Sequence, residues 1–211
     1  MKVCVVTGGR RGIGKAVVDR FIKEGYYVAS CSKNQKAFES YNLLLMKCDV
    51  SNIKDVKNFY LKTIKKFKRV DVLVNNAGVA FYKKLNETKI KEIDNMIDVN
   101  LKGVIYTTKL FLGKLIESKG TLVNISSVAG LKSYENFSVY CASKYGVVGF
   151  SDSLRKELDN VKVYCVCPGP VDTDMWSGFG WIRFPGITKP VTIANKVLDC
   201  VNNKYKELII K

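Results

Sequence analysis

The sequence predicts a single α/β domain built on a doubly wound parallel sheet. Short apolar runs alternate with longer segments of helical periodicity along the whole chain. Successive parallel strands need crossover connections, and helices on both faces of the sheet provide them. The 211 residues contain no linker or internal repeat, and 47% of them are hydrophobic, which suffices for one core. The expected domain therefore covers residues 1–211.

The elements begin with an apolar run at residues 2–6, which predicts the first strand, and a periodic segment at 12–24, which predicts the first helix. Further short apolar runs predict strands near residues 27–31, 43–48, 71–74, 120–125, 161–167 and 207–210. Further periodic segments predict helices near residues 52–68, 88–117, 137–159 and 191–203. The link at residues 32–42 is too short for a full crossover helix, so none is expected there.

The composition limits the possible chemistry. The chain has 35 Lys and Arg against 19 Asp and Glu, a net charge of +16, and no histidine. Mechanisms that need an imidazole as general base or zinc ligand are therefore excluded. The seven cysteines lie in strand-like and helix-like segments, which indicates buried thiols in a reducing compartment and not a disulfide framework. No metal site is expected.

The distribution of apolar and basic residues bears on location and partners. The N-terminal apolar run is too short for a signal peptide, and no stretch approaches the ~18 apolar residues of a membrane span. We therefore expect a cytoplasmic protein that does not engage a membrane. At residues 54–69 lysines fall between apolar positions, as on a solvated helix face. A nucleic-acid surface would need basic residues gathered on one side, and no nucleic-acid partner is expected.

A glycine-rich turn joins the first strand to the first helix. Its glycines permit a tight turn and let the backbone approach a pyrophosphate at the helix N-terminus. The spacing is G-x-x-x-G-x-G, not the more usual G-x-G-x-x-G, so a purely structural turn is the alternative. The residues assigned to cofactor binding here are Gly8, Arg10, Arg11, Gly12, Ile13 and Gly14.

The end of the second strand bears on the choice of cofactor. An NAD-binding protein of this layout places a carboxylate there for the ribose hydroxyl. This chain has Ser32 and Lys33 instead. With Arg10 or Arg11, Lys33 would neutralise a 2′-phosphate, which favours NADP(H) over NAD(H). The alternative is that these are ordinary surface cations.

A tyrosine, a lysine and a serine form the candidate catalytic group. Tyr140 and Lys144 are four residues apart in a helical segment, so both side chains leave the same face. A lysine ammonium beside a phenol is expected to lower the phenol pKa, which makes Tyr140 a usable general acid/base. Ser127 follows the strand at 120–125, at the sheet edge where such folds bind ligands. Its hydroxyl could hold a carbonyl oxygen, although a turn or cap role is the alternative.

Together these motifs resemble the short-chain dehydrogenase/reductase family. The resemblance spans nearly the whole chain and implies a Rossmann-like fold. It rests on the glycine turn at residues 7–14, Asp49-Val50, Asn75-Asn76-Ala77-Gly78, Asn100, Ser127, Tyr140 with Lys144, and Pro168-Gly169-Pro170 with Thr173.

The resemblance also implies a role for each matching residue. Tyr140 would give a proton to a substrate carbonyl as the nicotinamide gives a hydride, and Ser127 would orient that carbonyl. Lys144 would bind the nicotinamide ribose, and Asn100 would hold a water for a proton relay. Adenine and adenosine contacts would come from Asp49, Val50, Asn76, Ala77 and Gly78; Thr173 would meet the carboxamide, with Pro168, Gly169 and Val171 as further cofactor contacts.

The expected activity is reduction of a ketone or oxidation of a secondary alcohol, and the sequence looks nearest to 3-oxoacyl carrier-protein reductases. A non-catalytic NADP(H)-binding sensor or scaffold is the alternative, but such a protein would not need the serine and the tyrosine. Family members form oligomers across the helices near 98–117 and 137–159, so a homodimer or homotetramer is expected. Residues 174–189, which include Trp176, Trp181 and Arg183, are expected either to cover the substrate or to pack as a hydrophobic flap.

Overall fold

The computed structural model describes residues 1–176, 186–205 and 209–210. In this part of the chain eight strands form one sheet in the order β3-β4-β2-β1-β5-β6-β7-β8. Every strand pairing is parallel except that of β3 with β4. The strands are β1 Val3–Thr7, β2 Tyr27–Ser32, β3 Phe38–Glu39, β4 Leu43–Lys47, β5 Val72–Asn75, β6 Thr121–Ile125, β7 Lys162–Val166 and β8 Ile209–Ile210.

Helices cover both faces of this sheet. They are α1 Gly12–Lys23, α2 Ile53–Phe67, α3 Ile90–Ile97, α4 Gly103–Ser118, α5 Ser138–Glu157 and α6 Pro190–Val201. One core lies between the sheet and helices α1 and α6, and a second lies between the sheet and helices α2, α4 and α5. Because both faces are covered, β1, β5 and β6 are buried along their whole length, as their continuous apolar runs predict. The predicted α/β fold class is confirmed.

The order of the strands creates the site. The chain moves outward from β1 to β2 and β4, then returns to place β5 on the other side of β1. The loops after β1 and β5 therefore leave the sheet in opposite directions, and a crevice opens between them. The loops after β6 and β7 extend the same edge.

Two elements differ from the sequence-based expectation. The predicted helix at 88–117 is divided into α3 and α4 by a wide π-type turn at Asp98–Lys102. This turn contains Asn100, whose side chain bonds to the loop after β5 and not to solvent. No helix was expected at residues 32–42, and the chain there forms the short edge strand β3, which periodicity did not reveal. Of the predicted last strand only Ile209–Ile210 lies in the described residues.

The fold also tests what the sequence predicts for the cysteines and for membrane spans. All seven cysteines are buried and unpaired, which confirms the prediction of buried thiols. Within residues 1–176, 186–205 and 209–210, no helix combines the length and the apolar character needed to cross a membrane.

Candidate active site

A cleft of about 550 Å³ lies at the carboxyl edge of the sheet. The loops after β1, β2, β4, β5, β6 and β7 contribute to its walls. Every predicted site residue lines this cleft except Asn100 and Gly14, which lie just behind its wall. Residues from distant parts of the sequence are thus brought to one cavity. The aromatic and basic residues expected to cover it fall mostly in 177–185, outside the described residues.

The glycine turn is held against the loop after β5. The side-chain amide of Asn76 donates to the carbonyl oxygens of Thr7 (3.0 Å) and Gly8 (3.3 Å). The Thr7 hydroxyl oxygen accepts from the backbone N–H groups of Asn76 (3.0 Å) and Ala77 (3.1 Å). Gly8 has φ +72°, and a Cβ atom on Gly14 would collide with the Gly8 carbonyl oxygen and with Asn76. Asn76 therefore fixes the shape of this turn, and it also lines the cleft.

Two cations at the cleft mouth are paired with carboxylates. The Lys33 ammonium lies 2.7 Å from Asp49, and the Arg11 guanidinium lies 3.2 Å from Asp174. Burial disfavours the charge on Asp49, but hydrogen bonds from Lys33 and Ser51 outweigh it and hold its pKa below the usual value. The basic residues predicted to meet a 2′-phosphate, Lys33 with Arg10 or Arg11, thus all line the cleft, and Lys33 and Arg11 each lie beside a counter-ion.

Tyr140 lies at the start of α5 with its side chain buried and hydrogen-bonded to Ser127. Burial raises the pKa of Tyr140 to about 12, although the bond with Ser127 lowers it. This differs from the expectation that Lys144 lowers the phenol pKa. The physical reason is that desolvation dominates, and that the Lys144 ammonium donates to the backbone oxygen of Ile125 (3.1 Å).

Lys144 is itself buried beside the tyrosine. Its Nζ atom lies 5.7 Å from the centre of the Tyr140 ring. Burial disfavours the ammonium and lowers the pKa of Lys144 to about 8. A lysine that is close to half protonated in the neutral-to-alkaline range can respond to a change of charge next to it.

Asn100 connects the loop after β5 to α5. Its amide oxygen accepts from the backbone N–H of Val79 (2.8 Å), and its amide nitrogen donates to the Val79 oxygen (2.9 Å) and to the Ser143 hydroxyl (3.0 Å). Both amide hydrogens are therefore used within the protein. Its role in a proton relay stays a prediction.

Sequence reasoning missed several residues of the site. Val79, Ala80 and Phe81 form an apolar wall after β5, and Met175 contributes from the segment after β7. The apolar run that continues past Gly78 was the available signal for the first three. Ser126 was overlooked because only its neighbour Ser127 matched a motif.

A parallel sheet with a glycine turn at its switch point, and a hydroxyl–phenol–ammonium group in the same cleft, define a dinucleotide-binding oxidoreductase. The family model described as short chain dehydrogenase matches residues 2–180. The chain belongs to the short-chain dehydrogenase family, and the sequence-based identification is confirmed.

Named relatives extend this finding. Carbonyl reductase family member 4 of Xenopus tropicalis is 40% identical over 221 aligned positions, which cover 97% of this chain and 92% of the relative. A 3-oxoacyl-[acyl-carrier-protein] reductase of Homo sapiens is 38% identical over 183 positions, covering 82% and 77%.

Comparison with solved structures agrees with the sequence relatives. An alcohol dehydrogenase from the archaeon Thermococcus sibiricus, complexed with 5-hydroxy-NADP, has a TM-score of 0.86 and 28% identity, covering 100% of this chain and 94% of the other. The family and these relatives make this chain an oxidoreductase that acts on CH–OH or C=O groups with a nicotinamide cofactor.

Proposed function

We propose that this chain is an NADP(H)-dependent carbonyl reductase in which Tyr140 exchanges a proton with the substrate oxygen. The observation that carries the proposal is the meeting of Ser127, Tyr140 and Lys144 in the cleft that also contains the glycine turn. The names of the two relatives support reduction of a C=O group. We propose 3-oxoacyl thioesters and simple ketones as the two substrate classes to be assayed.

The turn after β1 fits a dinucleotide. No side chain caps the first turn of α1, so its backbone N–H groups can meet a pyrophosphate. A Cβ atom on Gly8 would lie 2.8 Å from the Asn76 amide nitrogen, so this stretch of backbone has to be bare. Asp49 and Val50 would hold the adenine end, and Lys144 and Thr173 the nicotinamide end. The bound nicotinamide supplies or accepts the hydride.

A preference for NADP(H) is supported by the charges at the mouth of the cleft. No acidic residue ends β2, and both Lys33 and Arg11 line the cavity. Their side chains are 68% and 70% exposed, so each can turn from its carboxylate to a 2′-phosphate. A phosphate carries more charge than one carboxylate and accepts several hydrogen bonds, which favours the exchange.

The protonation of Tyr140 suits the direction of reduction. A phenol whose burial raises the pKa to about 12 is protonated near neutral pH and is ready to donate. In the proposed step the carbonyl carbon gains a hydride and its oxygen takes the Tyr140 proton. The resulting phenolate is stabilised by the Lys144 ammonium and regains a proton from water. Ser127 holds the carbonyl oxygen beside the phenol.

The substrate end of the cleft supports an uncharged reacting group. Four apolar residues line this end: Val79, Ala80, Phe81 and Met175. Apart from Lys144, the charged residues of the described lining are Arg10, Arg11, Lys33, Asp49 and Asp174, at the mouth of the cleft. We therefore propose an apolar ketone or a 3-oxoacyl group. The test is a panel of aliphatic ketones, aromatic ketones and 3-oxoacyl thioesters, followed by the loss of NADPH fluorescence. We expect turnover with at least one apolar member of the panel. No turnover with any member would refute the proposed carbonyl reductase activity.

The outer face of α4 and α5 supports assembly into homodimers. Ile105 and Ile116 on α4 and Tyr145 on α5 are exposed apolar side chains. Gly113 and Gly149 lie on the same two helices, and a Cβ atom on either would meet nothing within 4 Å. Bare glycines beside large apolar side chains leave hollows that the same helices of a second copy can fill. We propose that a second copy covers this face.

A further inference from the structure

Three consecutive residues at the end of β6 each make a hydrogen bond to α5. The Ile125 backbone oxygen accepts from Lys144 Nζ (3.1 Å), and Ser127 bonds to Tyr140. Between them, the Ser126 hydroxyl donates to the backbone carbonyl oxygen of Lys144 (2.9 Å). The two outer contacts involve the proposed catalytic side chains, whereas the central contact holds the helix itself.

The Ser126 contact is tightly enclosed. Ser126 is buried, and its own backbone N–H donates to the Val166 oxygen of β7 (2.8 Å). A Cβ atom on Gly130 would lie 2.6 Å from the Ser126 hydroxyl and 2.7 Å from the Lys144 carbonyl oxygen. Only a glycine therefore lets this loop close over the bond. Ser126 is fixed to the sheet by its backbone and to the helix by its side chain.

We infer that Ser126 is a positioning residue that sets the placement of α5 against the end of β6. The inference rests on the proposed function of Tyr140 and Lys144. Their side chains are four residues apart on one rigid helix, so a small shift of that helix moves both. Such a shift of α5 would lengthen the bond between Tyr140 and Ser127 and withdraw the Lys144 ammonium from the Ile125 oxygen. Such misplacement lowers the rate of the chemical step more than it lowers cofactor affinity.

The same helix provides a matched control. Ser151 is also buried, donates to the Val147 oxygen (2.7 Å) and accepts from the Asn124 amide (2.9 Å). It lies two helical turns beyond Lys144, away from the cleft. Ser126→Ala and Ser151→Ala thus each remove a buried hydroxyl that donates to a backbone oxygen of α5. Only the first of these bonds is next to the proposed catalytic side chains.

The test compares these two variants with the wild type, using NADPH and the best ketone of the panel. For Ser126→Ala we expect kcat to fall by about tenfold or more, with the Kd for NADPH changed less than about twofold. We also expect the pH at which kcat is half-maximal to rise, because a withdrawn Lys144 regains water and its pKa moves up from about 8. Ser151→Ala should keep both the kcat and the pH profile of the wild type, even if its Tm falls by as much as that of Ser126→Ala.

Equal losses of kcat in Ser126→Ala and Ser151→Ala, with the same pH profile, would overturn the inference. If Ser126→Ala does not fold, Ser126→Cys replaces it, since a thiol is nearly the same size but a weaker donor. A reduced kcat of Ser126→Cys at an unchanged Kd for NADPH supports the positioning role of Ser126, and a wild-type kcat in this variant overturns it. Tyr140→Phe is run alongside: full activity in that variant refutes the proposed function itself, whatever Ser126 does.

Discussion

The Lys33 ammonium lies 2.7 Å from a carboxylate oxygen of Asp49, and this ion pair joins the ends of β2 and β4 at the adenine side of the cleft. The sequence suggested separate tasks for the two residues, a 2′-phosphate contact for Lys33 and an adenine contact for Asp49. Asp49 is also fixed by hydrogen bonds from the backbone N–H (3.1 Å) and the hydroxyl (2.6 Å) of Ser51. A bound 2′-phosphate would therefore draw Lys33 away from a carboxylate that itself stays in place.

Reversing the charge at Lys33 should change cofactor preference. Lys33→Asp removes the cation and adds a second carboxylate beside Asp49, which repels a 2′-phosphate but leaves a ribose hydroxyl a partner. We expect the ratio of kcat/KM for NADPH to that for NADH to fall by about tenfold or more, equivalent to about 1.4 kcal/mol. Lys36→Asp makes the same charge change at an exposed residue outside the cleft lining and should leave the ratio unchanged. An unaltered ratio in Lys33→Asp would remove Lys33 from the phosphate site.

Removing the Tyr140 hydroxyl should separate binding from turnover. In Tyr140→Phe the ring and its packing against Phe137 remain, but the proton donor is lost. We expect kcat to fall by about a thousandfold and the Kd for NADPH to change less than twofold. Tyr145→Phe, a change of an exposed tyrosine on the same helix, is the control and should behave as wild type. Steady-state rates and fluorescence titration measure the two quantities, and a fully active Tyr140→Phe would contradict the assignment.

The buried Lys144 should make stability depend on pH. Its pKa is about 8 in the folded chain, below its usual value of 10.5, so between these values the unfolded chain binds more protons. The wild type should therefore gain stability as pH rises from 8, whereas Lys144→Met lacks this gain. We expect the free energy of unfolding of the wild type, relative to the variant, to rise by about 2.5 kcal/mol between pH 7 and pH 10.

Urea unfolding of both proteins at the two pH values measures this difference, in which the contributions of groups that do not interact with Lys144 cancel. Lys156→Met, which makes the same substitution at an exposed lysine of α5, is the control. A difference between wild type and Lys144→Met that does not change with pH would mean that Lys144 is not desolvated.

A large residue at Gly149 should prevent the proposed dimer. Within one protomer nothing lies within 4 Å of a Cβ atom there, so Gly149→Arg should fold and retain its Tm within a few degrees. A second copy on this face would meet the new side chain. We expect sedimentation velocity to show a dimer or tetramer for the wild type and a monomer for Gly149→Arg. Asn58→Arg on α2 is the control, and a monomeric wild type would exclude this interface.

Much of the fold follows from local sequence patterns. Continuous apolar runs identify strands buried on both faces, and the buried β1 and β6 bear this out. Helical periodicity does not reveal the wide turn at Asp98–Lys102, because a turn with one additional residue interrupts the helix without changing which residues are apolar. The edge strand β3 has two residues, too few for any period to appear.

The candidate site divides in the same way. By itself the sequence determined which groups this protein brings to its cleft: a glycine turn, a basic residue after β2, and a tyrosine and lysine on one helical face. Those are consequences of spacing along one element. Only the tertiary structure decided that Lys33 faces Asp49 and that Lys144 donates to Ile125. It also decided that burial raises the pKa of Tyr140, which the neighbouring lysine was expected to lower. Partners and desolvation depend on how separate elements pack, and distances between elements are not encoded in the spacing within any one of them.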